Sequence, residues 1–517
     1  MTDVHASWVI GDLVKRTAFN LPNKIAVISG DTRLTYRELD AQSNAFGNAM
    51  LDLGVKPADR VAVLSRNSLE FIIIHYGLAK IGAVMVPLNF RYTERELTFV
   101  VNDSGAKMLI FQGEFADLIS ACQPKLPGVL HYASIGNVGE GMNDYYRLVE
   151  KYPTTPPKVA VKEEDECTLL YTAGTTGSPK GAIISHKASV ATSISVSIDL
   201  CIQEDDIALI SAPLFHAGQI NLSLHPMASV GGTLVLLAKF DPDEALHLIG
   251  KEKITRIGMV PTMLYQLIES PKFKDTDINS IRRVNYGASP IPRNGLRMTL
   301  ESFKDIEITQ SYGTSECGQL TVLKPQDQLR KFGCTGKAMT FVDLRIFDAN
   351  SQDVPPGEIG EIVTRGPHVM SGYLKRAEET EEAFKKGWYH TGDMATSDDE
   401  GFITIVDRKR DMIISGGENI YPKEIEDVLG SHPAVLEVAV FGIPDEKWVE
   451  SVCAAIVLKS GMKASEAEII DYCKKNLASY KKPKVVTFVD SLPKNELGKT
   501  LKKVLKAPYW KNYARKI

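Results

Sequence analysis

Short apolar runs alternate with segments of helical period through most of the 517-residue chain. Residues 24–28, 61–64, 108–111, 208–210, 234–237 and 258–260 are near-continuous hydrophobic stretches, the pattern of strands buried on both faces. Between the first two, Thr35 and Glu38 have the spacing of a capping box, and Leu39, Phe46, Met50 and Leu53 repeat on one side. Gly54 follows as a stop, so the spacing predicts a helix between them. The most apolar stretch, 71–88, contains His75, Lys80 and Pro87, which a membrane span of about 20 residues tolerates poorly. It reads as a buried helix over 71–81 followed by a buried strand. This alternation predicts an α/β fold with mostly parallel sheets.

After about residue 340 the pattern changes. Residues 342–347 and 360–364 read as strands around the turn signal Pro355-Pro356-Gly357. Beyond Asp411 a compact α+β pattern follows: Pro422 opens a helix with Ile425, Val428 and Leu429 on one face, then come strands over 437–441 and 485–489. Between the two patterns lies the charged run Asp407-Arg408-Lys409-Arg410-Asp411, where a hinge disturbs the least packing.

Composition narrows the class. With 44% hydrophobic and 24% charged residues the chain is neither disordered nor fibrous. Its seven cysteines are scattered without CxxC spacing, which favours a reducing compartment over disulfides or zinc. The first 16 residues lack the apolar core of a secretory signal. Net charge is −4, yet residues 474–517 carry 13 lysines and arginines against only Asp490 and Glu496. A basic end on an acidic body suits an anionic partner: nucleic acid, membrane or a phosphorylated small molecule.

The strongest local signal is the stretch from Tyr171 to Gly181, Tyr-Thr-Ala-Gly-Thr-Thr-Gly-Ser-Pro-Lys-Gly. It follows the apolar Leu169-Leu170 and precedes what reads as a helical pattern. Glycines let backbone N–H groups approach an anion, hydroxyls add donors and Lys180 adds charge, a combination suited to phosphate oxygens. Ser178-Pro179 separate Gly177 from Lys180, which departs from the Walker pattern.

This stretch resembles the phosphate loop of the adenylate-forming superfamily of acyl-CoA synthetases, peptide-synthetase adenylation domains and beetle luciferases. Further motifs recur in the family's order: Pro213-Leu214-Phe215-His216, Tyr286-Gly287-Ala288-Ser289-Pro290, Ser311-Tyr312-Gly313-Thr314-Ser315-Glu316, Trp388-Tyr389-His390-Thr391-Gly392-Asp393, Asp407-Arg408, Gly416-Gly417-Glu418-Asn419 and Pro493-Lys494-Asn495-Glu496-Leu497-Gly498-Lys499. Together they cover essentially the whole chain.

The resemblance implies a two-step acid:CoA ligation. A carboxylate attacks the α-phosphate of ATP, and a thiolate then attacks the mixed anhydride. The first step gathers anions, so it calls for positive charge and a metal. The catalytic set it implies is Lys499, Lys180, His216, Thr314 and Glu316. Glu316, with Thr175, is the implied magnesium site, since a hard cation prefers oxygen. Thr172, Ala173, Gly174, Thr175, Thr176 and Gly177 cradle phosphates; Tyr312 packs on adenine; and Gly287, Ala288, Ser289, Ser311 and Gly313 border the nucleotide and acyl group. Asp393 and Arg408 hold the ribose. Lys499 reaches the carboxylate and α-phosphate oxygens. His216 positions the acid rather than acting as a base, because a carboxylate nucleophile needs no deprotonation.

For the second step the small domain rotates about a hinge, by alignment Arg410. Gly416 and Gly417 then line a pantetheine passage, and Trp448, Tyr480, Lys482 and Lys484 match positions near the CoA nucleotide. Ala173 replaces the usual serine of the phosphate loop. No acidic residue follows His216, which disfavours an amino-acid substrate. The expectations are these: a layered α/β domain over 1–410 with a β-rich subdomain; a small mobile α+β domain over 411–517; ATP, Mg2+ and coenzyme A as cofactors; a cytoplasmic monomer or homodimer with no nucleic acid and at most peripheral membrane contact. The small Ala217, Gly218, Gly287, Ala288 and Gly318 point to a medium- or long-chain fatty acid. An aromatic acid, or an acyl-AMP ligase that loads a carrier protein, is the alternative. Within the basic end, Lys499 belongs to adenylation and Lys482 and Lys484 to CoA, and 502–516 reads as solvated surface or a membrane contact.

Overall fold

The computed structural model describes residues 8–137, 141–172, 179–408, 411–415, 418–445, 449–477, 481–494 and 499–511. The helix predicted behind Thr35 spans Tyr36–Asp52. Thr35 Oγ1 accepts from the Glu38 N–H and the Glu38 carboxylate accepts from the Thr35 N–H at 2.7 Å, so two otherwise orphaned donors are satisfied. The apolar stretch divides as expected into the helix Leu69–Lys80 and the strand Val84–Leu88, both buried. Among the described residues no helix is long and apolar enough to cross a membrane.

Two large sheets carry the N-terminal part. The first has nine strands in the order Lys337–Ala338, Gly318–Leu323, Glu307–Thr314, Arg283–Gly287, Arg256–Met259, Ile207–Ile210, Thr233–Leu236, Ile25–Ser29 and Thr32–Thr35. Its six central strands, from Glu307–Thr314 to Ile25–Ser29, run parallel, and antiparallel strands close both edges. The second has eight strands in the order Gly372–Tyr373, Lys180–Ser185, Glu166–Thr172, Val84–Leu88, Arg60–Leu64, Met108–Gln112, His131–Ile135 and Asn143–Asp144. Helices cover these sheets with Leu, Ile, Val and Phe side chains, which is why the strands read as unbroken apolar runs. A third, smaller sheet is built from strands between 343 and 408.

Two compact units result: Met1–Leu344 with Thr364–Tyr389, and Arg345–Val363 with His390–Ile517. In the second unit the strands Val435–Asp445 and Val449–Leu458 form a long antiparallel pair, joined in parallel by Val485–Phe488. One face of this sheet buries Ile425 and Leu429 from the helix Pro422–Gly430 and Ile469 and Cys473 from the helix Glu466–Asn476. The other face is packed by Leu505 and Tyr509 of the helix Lys502–Trp510.

Two sequence expectations are corrected. The phosphate-loop stretch does not lead directly into a helix: Lys180–Ser185 is a strand antiparallel to Glu166–Thr172, and the helix starts at His186. A run as short as Ala182-Ile183-Ile184 fits either period, and pairing with the neighbouring strand decides it. The end of the chain is not simply solvated. Lys502 pairs with Glu426 at 2.8 Å and Lys506 with Asp411 at 3.9 Å, each lysine no more than 16% exposed. Burial alone would discharge Lys502, but Glu426, Asp407 and Asp411 outweigh it and hold its ammonium above the ordinary lysine value.

Candidate active site

In the first unit, candidate side chains lie at the carboxyl ends of parallel strands, where open α/β sheets bind ligands. Gly287 ends one strand and stands in register with Ser311 on the next. A Cβ at Gly287 would lie 2.4 Å from the Ser311 carbonyl oxygen, so the two backbones touch only because residue 287 has no side chain. Ala288 follows with φ +66°, a left-handed turn that costs a non-glycine residue strain and turns Ser289 out of the sheet. The Ser311 hydroxyl is occupied within the sheet, donating to Asn285 Oδ1 at 3.1 Å.

Beyond Ser311 the strand bulges between Tyr312 and Gly313 and pairs back onto Gly318–Leu323. A Cβ at Gly313 would sit 2.0 Å from the Gly318 carbonyl oxygen, and one at Gly318 would strike Thr192. The tip of this hairpin presents Thr314, whose hydroxyl lies 3.1 Å from the Cys317 thiol, and Glu316. Glu316 Oε1 accepts from the Tyr373 hydroxyl at 3.1 Å and stands 3.5 Å from Thr172 Oγ1. Thr172 is in register with Lys180 across the antiparallel strand pair. Lys180 Nζ lies 5.3 Å from the centre of the Tyr373 ring and forms an ion pair with Glu379. Glu316 and Lys180 therefore meet at Tyr373, and Thr172, 144 residues from Glu316, stands beside them. Burial and the Glu316 charge raise the phenol pKa of Tyr373, and the same two causes raise that of the buried Tyr389. Tyr373 has no role in the sequence reading and Tyr389 enters it only as part of a motif; Tyr373 comes to the site because the short strand Gly372–Tyr373 pairs with Lys180–Ser185, a contact that carries no local sequence mark.

His216 precedes the short helix Ala217–Gln219 and is half-buried, with its ring 4.2 Å from that of Phe215. Phe215 meets Phe90 edge-on, and the guanidinium groups of Arg66 and Arg91 lie over Phe90 at 4.9 and 5.2 Å. Desolvation first, then Arg91, lower the His216 pKa to about 4, so the ring is neutral at pH 7. Its Nε2 and the Oε1 of Gln219 are buried without a hydrogen-bond partner among the described residues. Two orphaned polar atoms on one turn of chain are unusual in a native interior.

The second unit holds the remaining described candidates. Asp393 is 5% exposed and in register with Arg408. Its backbone N–H donates to Thr391 Oγ1 at 3.1 Å, while Glu361 takes the Gly392 N–H and His390, so the turn is clamped from both sides. Lys499 stands directly before Thr500, which bridges to Lys494, and three residues before the helix Lys502–Trp510. Lys484 forms an ion pair with Asp445 at 2.7 Å, and Lys482 lies two residues before it. Ala173, Gly174, Thr175, Thr176, Gly177, Arg410, Gly416, Gly417, Trp448 and Tyr480 lie outside the described residues. Among the described residues no group of three or more acidic, His or Cys side chains forms a metal cage. One carboxylate beside hydroxyls is instead the arrangement that magnesium uses when phosphates and water complete its shell.

Known proteins resemble the chain over almost its whole length. Residues 14–374 match the model of the AMP-binding enzyme family, and 424–499 match that of the AMP-binding enzyme C-terminal domain. The chain is 37% identical over 494 residues to a feruloyl-CoA synthase of Amycolatopsis sp, covering 95% of this chain and 97% of that one. It is equally identical over 507 residues to the long-chain-fatty-acid–CoA ligase FadD13 of Mycobacterium tuberculosis, covering 97% and 98%. A solved Mycobacterium tuberculosis fatty acyl CoA synthetase superposes with a TM-score of 0.82 at 34% identity, covering 97% and 98% of the two chains.

Proposed function

We propose, from the premise that this chain belongs to the AMP-binding enzyme family and is an AMP-forming acyl-CoA synthetase, that it activates a medium- or long-chain fatty acid through an acyl-adenylate. The convergence of Thr172, Lys180 and Glu316 carries the reading, because one cation, one carboxylate and a hydroxyl at strand ends suit a triphosphate and its metal. Lys180 would bind phosphate oxygens, and Tyr373 fixes the Glu316 carboxylate by its hydrogen bond. Glu316 and Thr175 would hold magnesium, which when bound neutralises phosphate charge. Neutral His216 would orient the carboxylate, and Asp393 would accept from the ribose diol.

Lys499 would neutralise the charge that develops at the α-phosphate, after which the part beyond Arg410 would rotate to admit CoA past Gly416 and Gly417. A cytoplasmic setting fits the seven free cysteines. The acyl reading rests on Gly218, around which a Cβ would meet none of the described residues within 4 Å, and on the fatty-acid ligase among its relatives. Gly287 and Gly318 carry no weight for it, since strand packing already demands both.

A second reading, an aromatic acid bearing a polar group, is favoured by the orphaned His216 Nε2 and Gln219 Oε1, which such a substrate would satisfy. CoA consumption across fatty acids of graded length and hydroxylated aromatic acids separates the two, and acyl-carrier protein offered in place of CoA tests a carrier-loading role.

The adenylation reading is tested by Lys499→Ala. Acyl-AMP formation, followed by pyrophosphate exchange, should fall by about 10²–10³, the usual loss for one preorganised charge. Thioester formation from supplied acyl-AMP should stay within about threefold, since the lysine acts only in the first step. An equal fall in both half-reactions would refute the two-step assignment.

A further inference from the structure

Lys180 is a charged side chain in a confined place: 13% exposed, beside the Tyr373 ring. An ammonium so placed needs an anion, because desolvating it without one is costly. Before any nucleotide arrives that anion is the carboxylate of Glu379, itself 29% exposed, on the short helix Ala377–Ala383. One turn earlier on the same segment, Arg376 Nε lies 3.5 Å from Glu379 Oε1, and its other face is 3.8 Å from Asp103. Glu379 thus has a second cation within reach, so releasing Lys180 leaves neither charge uncompensated.

We infer that Glu379 is an internal stand-in for nucleotide phosphate: it holds Lys180 in the empty enzyme, yields it to the phosphates of ATP, and passes to Arg376, thereby setting the affinity for the triphosphate. The inference rests on the reading of Lys180 as a phosphate ligand. Its consequence is a competition written into the site. Part of the attraction between Lys180 and phosphate is offset by the broken Lys180–Glu379 pair, so the apparent affinity is lower than the cation alone would give. Tyr373 keeps the ammonium within reach of both anions, because its ring attracts the cation whichever partner is bound.

The experiment measures the dissociation constants of ATP, pyrophosphate and adenosine by calorimetry for the full-length protein and three variants. Glu379→Gln, which keeps the shape and removes the charge, should tighten ATP and pyrophosphate by about two- to fivefold, the upper part of the range for a partly exposed ion pair. Adenosine, which has no phosphate, should bind unchanged. Glu379→Asp, with a shorter arm and the same charge, should fall between. In a Lys180→Met background, Glu379→Gln should shift ATP by less than about 1.5-fold, because the competing pair no longer exists. Unchanged ATP binding in Glu379→Gln, tightening that persists in the Lys180→Met background, or tightening of adenosine to the same degree would each overturn the inference. Lys180→Met separates the two levels: if ATP binding weakens there while Glu379→Gln has no effect, the counter-ion role alone fails. If ATP binding does not weaken there, the phosphate reading fails with it.

Discussion

Lowering the pH should unfold the first unit from within, through histidines that no part of the proposed mechanism uses, together with His216. His75 and His225 are both buried, their Nε2 atoms 2.8 Å apart, a contact in which one neutral ring donates and the other accepts. His186 is buried nearby, and its Nδ1 accepts from the Ile10 N–H at 3.3 Å. Burial holds His75 down to about 3, and His186, His216 and His368 down to about 4; His225 is depressed by burial and by His75. Folding thus lowers these values below the ordinary 6.5. The unfolded chain takes up more protons once the pH falls through 6.5, and stability is lost progressively from there toward the folded values. At pH 5 relative to pH 7.5 each of the four numbered histidines costs about 2 kcal/mol, or about 8 kcal/mol together, which rivals the roughly 5–15 kcal/mol stability of a typical domain. Urea midpoints followed by circular dichroism at pH 7.5, 6 and 5 should fall steeply, and His75→Gln should recover about 2 kcal/mol of the loss. A midpoint that stays level or rises between pH 7.5 and 5 would refute the reasoning, for it would mean that the rings are protonated in the folded state or open to water.

Two further outcomes follow from packing. Gly313→Ala places a methyl against the Gly318 carbonyl and Gln319 Cα, both backbone atoms that cannot swing aside. It should cost about 1–3 kcal/mol in thermal or urea unfolding and weaken ATP binding, because the hairpin tip that carries Glu316 is pushed out; Gly218→Ala, with open space around it, should cost nothing measurable. Lys502→Met removes the cation from a largely buried Glu426, leaving the Val440 N–H as its partner among the described residues, and should destabilise the second unit by about 2–3 kcal/mol. Adding Glu426→Gln to it should restore part of that loss; a double variant no better than the single one would show that the pair is not what holds the helix.

Periodicity alone was enough to read the alternating strands and helices, because strands buried on both faces leave an unbroken apolar run and a capping box needs only two residues three apart. The order of motifs along the chain was equally legible, and with it the family's candidates from Thr172 to Lys499. Local pattern could not say whether the residues after Lys180 were helix or strand. That depended on a pairing partner, Glu166–Thr172, and a short apolar run carries no mark of its partner. Nor could it tell which lysines of the basic end were solvent-facing. Lys502 and Lys506 differ from Lys503 only by the face of one helix that meets Glu426 and Asp411. The small residues taken as room for an acyl chain were, at Gly287 and Gly318, required by neighbouring backbone and Thr192. The roles of Tyr373 and Glu379 arise only where 373–379 folds against Lys180 and Glu316, contacts made across up to 199 residues of chain. Which elements and which reactive groups exist is written in local period and residue type. Which charge faces which is set by distance in space, between residues with no fixed spacing in the chain, and so emerges only on folding.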